Sequence, residues 1–265
     1  GTTTRLTYDG RDRLLLREVL SYYDANPYAQ TTSYTYDNVG NVKSTTDSDG
    51  VRLTYTYDDA HRLTDIADAL GNRVHYSLDA NGNRVRETTY DPSGTLTRAL
   101  DRSYDLFNRL WTTTDAYGHV TSHKYNDRDS VADIVDARGT VTHQDYDGLG
   151  RLRETVLNYV ATDPTPSPTQ NVKTRYAYDA LDRLVQVVDP DNLPTDYTYS
   201  PLGNVTRLQS PDTGTTTYGY DAAGNRTRQT DARGVQVTYA YDALNRLTAM
   251  HYPTASLDVS FFYDE

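Results

Sequence analysis

Tyr-Asp dipeptides recur along the chain at a nearly constant spacing. They occur at Tyr8, Tyr36, Tyr57, Tyr104, Tyr146, Tyr178, Tyr220, Tyr241 and Tyr263, with degenerate copies at Leu78-Asp79, Tyr125-Asn126 and Tyr199-Ser200. Seven of the eleven intervals between these positions are 21 residues long. A fixed period of this kind indicates a repeat protein, whose units bury apolar surface only by stacking on their neighbours. We therefore predict a single array of about 11 units over residues 1–265.

Each 21-residue unit contains two turn signals. In the unit that starts at Tyr220, the segment 220–226 contains the first turn and Asp231 to Gly234 forms the second. Asp can bond its own backbone two residues on, and Gly or Asn accepts the positive φ of a tight reversal. Two turns per unit predict one strand every ~10 residues, the spacing of consecutive antiparallel hairpins.

Tyrosine supplies much of the apolar surface of the predicted strands. Leu, Ile, Val and Phe together number only 49, and with a net charge of -11 this composition would favour disorder, but the chain also contains 25 Tyr. Many of them are i, i+2 pairs, such as Tyr34 with Tyr36 and Tyr197 with Tyr199, so each pair lies on one face of its strand. The fold class is therefore predicted to be all-β, a continuous antiparallel hairpin strip that curls, because open twisted sheets rarely exceed ~10 strands.

The residues expected to hold the units in register are the anchor tyrosine, the aspartate after it and the turn glycine. These repeat-anchor positions are Tyr36, Asp37, Gly40, Tyr57, Asp58, Tyr146, Asp147, Gly150, Tyr178, Asp179, Tyr220, Asp221, Gly224, Tyr241 and Asp242. The glycines are expected to have positive φ. The three long intervals are interpreted as rim loops near 21–33, 88–99 and 159–173.

Several classes of protein are excluded by composition. The chain has no Cys, and therefore no disulfide, thiolate metal site or cysteine nucleophile. No apolar run approaches the ~20 residues of a membrane-spanning helix, and the first residues have no apolar segment typical of a signal peptide. A pI near 4.9, without a basic stripe, argues against nucleic-acid binding.

No catalytic or metal-binding pattern stands out, so we predict no catalytic residues, no metal and no cofactor. His119 and His123 lie ~13 Å apart on a strand, and His143 occupies a repeat position, so a shared metal is not favoured. The segment Asp47 to Gly50, with Asp58 and Asp59 downstream, lacks the third ligand and the distal Glu of a calcium loop. The chain has 33 Asp, which makes any single carboxylate pair uninformative.

The motif Tyr-x-Tyr-Asp-x-x-Gly-Asn/Arg-Leu/Val, clearest at 34–42, 146–152 and 218–226, resembles the YD-repeat family, also called Rhs repeats. That family includes bacterial Rhs and other polymorphic toxins, the C component of insecticidal toxin complexes, and animal teneurins. The resemblance implies a β-strip that spirals into a hollow shell, which in the bacterial toxins encloses a C-terminal toxic domain. Asp91-Pro92-Ser93-Gly94 resembles a motif linked to aspartyl self-cleavage in the family but lacks its flanks, so we interpret Asp91 as a turn residue.

Three hypotheses for function follow, and we favour the first over an enzyme or a binding module. In the first, the chain is a structural encapsulation module around a toxic cargo, secreted or at the bacterial cell surface. Its partners are then the rest of the shell polypeptide, the enclosed toxin domain and, as further candidates, secretion-apparatus proteins and glycans. In the second it is a surface carbohydrate-binding or adhesion module of teneurin-like type, and in the third an enzyme. Because the chain starts and stops within repeat units, we expect an internal excerpt of a longer shell.

Overall fold

The computed structural model of the protein describes residues 2–21, 28–163, 165 and 167–263. These residues form 23 β-strands and, near the end, a 3-10 turn at Ala255–Leu257, and they contain no α-helix. The strands are β1 (Thr2–Tyr8), β2 (Leu14–Ser21), β3 (Tyr28–Tyr36), β4 (Val42–Asp47), β5 (Arg52–Tyr57), β6 (Leu63–Asp68), β7 (Arg73–Leu78), β8 (Arg84–Tyr90), β9 (Leu96–Tyr104), β10 (Leu110–Asp115), β11 (Val120–Tyr125), β12 (Val131–Val135), β13 (Val141–Tyr146), β14 (Leu152–Leu157), β15 (Val172–Tyr178), β16 (Leu184–Val188), β17 (Pro194–Tyr199), β18 (Val205–Ser210), β19 (Gly214–Tyr220), β20 (Arg226–Thr230), β21 (Gln236–Tyr241), β22 (Leu247–His251) and β23 (Val259–Ser260). The all-β prediction is confirmed.

The chain divides into an N-terminal half, Gly1–His123, and a C-terminal half, Lys124–Tyr263. In the N-terminal half, neighbouring strands from β1 through β11 pair antiparallel with one another in sequence order. In the C-terminal half, β12 to β23 do the same. Each half is therefore a strip of consecutive hairpins, as the repeat predicts.

The turns at the two ends of the strands share one geometry. The Asp37 N–H donates to the carbonyl of Asn41 at 2.9 Å, and the Gly40 N–H donates back to the carbonyl of Asp37 at 3.3 Å. The Asp68 turn, at the other end of the strands, has the same two bonds, from Asp68 to Asn72 at 3.0 Å and from Gly71 to Asp68 at 3.3 Å. This is the three-residue hairpin loop, a type I turn closed by a residue in the left-handed region.

One predicted rim loop is wrong. Residues 88–99 belong largely to β8 and β9, which are 7 and 9 residues long and enclose an ordinary three-residue turn at Asp91. The extra residues of this unit lengthen two strands, because the β-forming Thr-Thr-Tyr segment 88–90 can pair with the segment that begins at Leu96 and so extend the ladder. Pro92 occupies the second position of the turn, where its fixed φ fits.

Of the other two predicted loops, one is only partly described and the other is present. Part of the loop near 21–33 lies outside the described residues, and β3 already starts at Tyr28. The loop near 159–173 is present between β14 and β15, where the side chain of Asn171 is buried and accepts the Val160 N–H at 2.9 Å.

The strands form a single layer with little enclosed core. In β5, Leu53, Tyr55 and Tyr57 are half-buried, whereas the intervening threonines are exposed. Among the described residues, full burial is confined to a few side chains: Tyr76, Ala99, Val156, Ser44, Thr88 and Asn171. The accessible surface is 17235 Å², against ~11,700 Å² for a compact protein of this mass. None of the described helical segments is long and apolar enough to span a bilayer.

Candidate functional site: the Tyr-Asp rim

The turns that follow the anchor position lie together at one end of the strands in each half, which we call the YD rim. The turns at the other end form the opposite rim. At the first YD turn, Oδ1 of Asp9 accepts the N–H groups of Arg11 at 2.8 Å and Arg13 at 3.0 Å, and Oδ2 accepts Nε of Arg13 at 2.8 Å. The carboxylate thus fixes both the turn backbone and the side chain four residues on.

These hydrogen bonds favour the ionised carboxylate. The backbone N–H of Arg13 and then its guanidinium lower the pKa of Asp9 from 3.8 to about 2. The same two groups of the arginine four residues on, in the same order, lower the pKa of Asp58 and Asp147. Where an asparagine takes that position, its side-chain amide is the main cause of the lowered pKa, as Asn225 is for Asp221. Each YD turn that begins with one of these aspartates therefore holds an ionised carboxylate at neutral pH.

The arginine of one YD turn also reaches the next unit. Arg151 pairs with Asp147 at 2.7 Å, donates Nη1 to the carbonyl of Asp179 at 3.1 Å, and lies over the ring of Tyr178 at 5.0 Å from its centroid. The same connection to a backbone carbonyl of the next YD turn is made by Arg13 to Asp37, Arg62 to Asp79 and Arg183 to Ser200. We call this arrangement the rim clamp.

Turns with asparagine in place of arginine use a different clamp. Nδ2 of Asn225 bonds Oδ2 of Asp221 at 3.0 Å and Oδ1 of Asn245 at 2.8 Å, where Asn245 is the left-handed residue of the next turn. Asn41 makes the equivalent contact with His61 at 3.3 Å. The residue four after the aspartate is therefore matched to the left-handed residue of the following turn.

The anchor tyrosines tie adjacent strands through their hydroxyls. Tyr220 donates to the carbonyl of Val205 at 2.8 Å, and Val205 is the first residue of the strand that follows the preceding YD turn. The corresponding pairs are Tyr36 with Leu14, Tyr57 with Val42, Tyr104 with Arg84, Tyr146 with Val131, Tyr199 with Leu184, Tyr241 with Arg226 and Tyr263 with Leu247. A tyrosine suits this position because its ring reaches the adjacent strand and ends in a hydroxyl donor.

This periodic pattern agrees with comparisons to known proteins. The model of the RHS Repeat family matches residues 36–72, 57–95, 168–194, 178–215, 199–236 and 220–256, together more than half of the chain. The chain belongs to the RHS Repeat family. No curated protein sequence matches it.

Solved structures of toxin complexes have a similar fold. A Photorhabdus luminescens Tc holotoxin pore with the mutation TccC3-D651A is 15% identical, with 98% of this chain and 19% of that chain covered and a TM-score of 0.56. A crystal structure of TcdB2-TccC3 is 14% identical, with coverages of 97% and 20% and a TM-score of 0.56. A form of TcdB2-TccC3 without the hypervariable C-terminal region is 14% identical, with coverages of 94% and 17% and a TM-score of 0.52. The chain spans about a fifth of the length of these neighbours.

The predicted anchor residues lie at the YD turns just described. The aspartates at 37, 58, 147, 179, 221 and 242 each bond the turn backbone. The glycines 40, 150 and 224 have φ values of 106°, 81° and 88°, as the turn requires. For Tyr178 the described contact is the guanidinium of Arg151 rather than a hydroxyl bond. Sequence reasoning missed the clamp residues, although Arg or Asn recurs four residues after the YD aspartate and was the available signal.

The candidates for metal binding are not brought together. His119 Nδ1 contacts Asp115 Oδ2 at 2.9 Å, and His143 contacts Asp133 Oδ1 at 2.6 Å and stacks on Tyr159. Asp47 and Asp58 lie at opposite ends of β5, ~20 Å apart by strand rise, so they share no site. Within the described ranges, no three His, Cys, Asp or Glu side chains are grouped so that they could hold an ion.

Proposed function

We propose that this RHS-repeat chain is part of the wall of a β-shell that encloses a toxic polypeptide and acts outside the producing cell. The observation that carries the proposal is the single-layer sheet whose polar groups are used between neighbouring repeat units. A wall needs continuous stiffness along the strip and has no need of a converging catalytic site.

The rim clamps supply that stiffness. Arg183 alone joins the carboxylate of Asp179 to the carbonyl of Ser200 in the next unit. Because both strand ends are closed by the same turn and one end is clamped, neighbouring hairpins are coupled by side chains as well as by the backbone ladder. Such coupling favours the interpretation of the chain as a stiff, continuous strip over that of a set of independent binding loops.

The accessible surface also favours a wall. Both faces of the sheet retain solvent access, and the accessible area exceeds that of a compact protein by ~5,500 Å². A shell places one face toward a cargo and the other toward solvent, which is compatible with two half-exposed faces. The solved neighbours contain TccC3, and one was determined without a hypervariable C-terminal region, which suggests the kind of cargo to look for.

The carbohydrate-binding alternative has less support. Stacking on a sugar needs open ring faces, but arginine lies over the anchor rings of Tyr36, Tyr199 and Tyr263 at 4.5 to 4.8 Å. The hydroxyls of these three tyrosines are used by backbone carbonyls. The anchor row is therefore occupied by contacts within the strip.

Limited proteolysis of the polypeptide in the length that its gene encodes tests the proposal. We expect non-repeat segments to resist a nonspecific protease under native conditions and to become sensitive when the shell is opened with denaturant. The same segments expressed alone are the control and should be digested rapidly. Equal digestion rates in the two contexts, or a gene product made of repeats alone, would contradict enclosure.

A further inference from the structure

After Arg128 at the tip of the first YD turn of the C-terminal half, the tips of the next five YD turns carry an apolar row. Each tip residue is two positions after the first residue of its turn, and the row, which we call the leucine ridge, consists of Leu149, Leu181, Leu202, Ala223 and Leu244. The four leucines are exposed at 69% to 75% of their full area. Leucines so exposed add nothing to the packing of the hairpins.

The opposite rim of the same half has a different character. Its turn tips include Arg138, Asp191 and Arg233, which are exposed polar residues of the kind expected at a hairpin turn. Both rims use the same turn geometry, so the backbone does not demand leucine at one rim and charge at the other. Among the described three-residue turns of this half, the exposed apolar tips are therefore confined to the YD rim.

The charges beside the ridge do not oppose self-association. Asp147, Asp179 and Asp242 are each paired with the arginine four residues on at 2.6 to 2.7 Å. Asp182, in the turn of Leu181, is paired with Arg151 at 2.7 Å. The carboxylates that flank the ridge are thus largely neutralised within the rim, which leaves leucine side chains as its dominant surface.

The spacing of the ridge residues limits which surfaces can contact all of them. Consecutive YD turns are two strands apart, so the tips recur every ~9.6 Å. A surface that meets all five tips must have the same period, and another strip of this repeat has it. We propose that the leucine ridge is a self-association surface, occupied by the same ridge of a second copy of this chain. In a two-fold arrangement centred on Leu202, Leu149 meets Leu244 of the other copy and Leu181 meets Ala223.

The first test is the mass of the 265-residue chain in solution. Light scattering between about 1 and 200 µM should show the weight-average mass rising from one chain towards two, as expected of a small interface. The variant L149S/L181S/L202S/L244S should stay monomeric with an unchanged circular dichroism spectrum, because serine fits these turn positions. The control R138S/D191S/D212S/R233S alters the turn tips of the opposite rim and should associate like the parent.

The absence of cysteine permits a geometric test of the same proposal. L202C lies on the proposed two-fold axis and should be linked to its copy by a short bis-maleimide reagent. A223C is the matched control, since its copy lies ~19 Å away in this arrangement. The proposal is overturned if the parent is a monomer throughout, if the serine variant associates as strongly as the parent, or if A223C is linked as efficiently as L202C. Association that survives the serine substitutions would assign the contact to strand edges instead.

Discussion

At the scale of single residues, the aspartate that opens each turn performs the same task at both strand ends. Oδ1 of Asp37 accepts the N–H groups of Val39 at 3.0 Å and Asn41 at 2.9 Å. Oδ1 of Asp68 accepts those of Leu70 at 3.0 Å and Asn72 at 2.8 Å. An ionised carboxylate accepts these bonds more strongly than a neutral group does, so the stability of the fold depends on many aspartates remaining charged.

Acid should therefore destabilise the whole strip. The turn aspartates have a lowered pKa in the folded chain, about 2 for Asp9, against 3.8 when unperturbed. Since the unfolded state takes up protons first, the stabilisation is present above about pH 4 to 5 and is lost as pH falls towards 2. Thermal melts followed by circular dichroism from pH 7 to pH 2 should show this loss. A melting temperature that stays constant over this range would contradict the assignment.

Two glycines of one turn provide a matched pair of substitutions. Gly150 has φ of +81° and Gly148 does not have a positive φ, and an added Cβ meets nothing within 4 Å at either position. We expect G150A to destabilise the protein by about 1 kcal/mol, because alanine disfavours the left-handed region, and G148A to be neutral or slightly stabilising. Chemical denaturation of both variants measures the difference. Equal stabilities would show that the turn tolerates another conformation.

The anchor hydroxyl can be tested within a single strand. Tyr220→Phe removes the bond to the Val205 carbonyl and should cost about 1 kcal/mol, since a half-buried acceptor loses its donor. Tyr218→Phe is the control, because no hydrogen bond of its hydroxyl is described. If urea denaturation gives the same stability for both variants, the hydroxyl bond does not hold the strands together.

At the scale of hairpins, the clamp at the YD rim couples one unit to the next. Arg183 contacts its own turn through Asp179 at 2.7 Å, the ring of Tyr199 at 4.8 Å and the carbonyl of Ser200 at 3.1 Å. Arg233, on the opposite rim, bonds the aspartate of its own turn, Asp231, at 2.7 Å. Arg183 on the YD rim therefore connects two neighbouring units, whereas Arg233 on the opposite rim bonds within its own turn, although the turns of both rims have the same backbone geometry.

Removal of one rim clamp should lower the cooperativity of thermal unfolding. Arg183→Gln is expected to lower the melting temperature and broaden the transition, because nearest-neighbour coupling sets the cooperativity of repeat arrays. Arg233→Gln removes an exposed pair within one turn and should leave the melt unchanged. Calorimetry of the two variants checks this. If the transition of the Arg183→Gln variant is as sharp as that of the parent, the clamp does not couple the units.

Much of this hairpin pattern could be predicted from the sequence. The turn positions can be predicted from Asp and Gly, because each determines the backbone conformation only within a few residues of itself. The face of the strand that carries the tyrosines can be predicted from their i, i+2 spacing. The clamp could not be predicted in this way, because Arg151 and Asp179 are 28 residues apart and meet only once the register is known. The prediction of a loop near 88–99 was wrong because an insertion can lengthen two strands as easily as it can lengthen a turn.

At the scale of the whole molecule, the chain has few buried side chains and a large exposed area. Among the described residues, burial is most complete at Ser44, Val156 and Asn171, which are 2%, 2% and 1% exposed. Stability must therefore come mainly from the ladder, the turns and the clamps, which are distributed evenly rather than centred on a core. This distribution is what a wall requires, and it explains why no single site emerges from the repeat.

Cryo-electron microscopy of the polypeptide in the length that its gene encodes tests the proposed function most directly. We predict a closed, hollow β-shell in which residues 1–265 form part of the wall, with density for a non-repeat polypeptide inside. The side-chain density should show the arginines of the YD rim over the anchor tyrosines of the next unit. An open strip with solvent on both faces and no enclosed density would contradict the account.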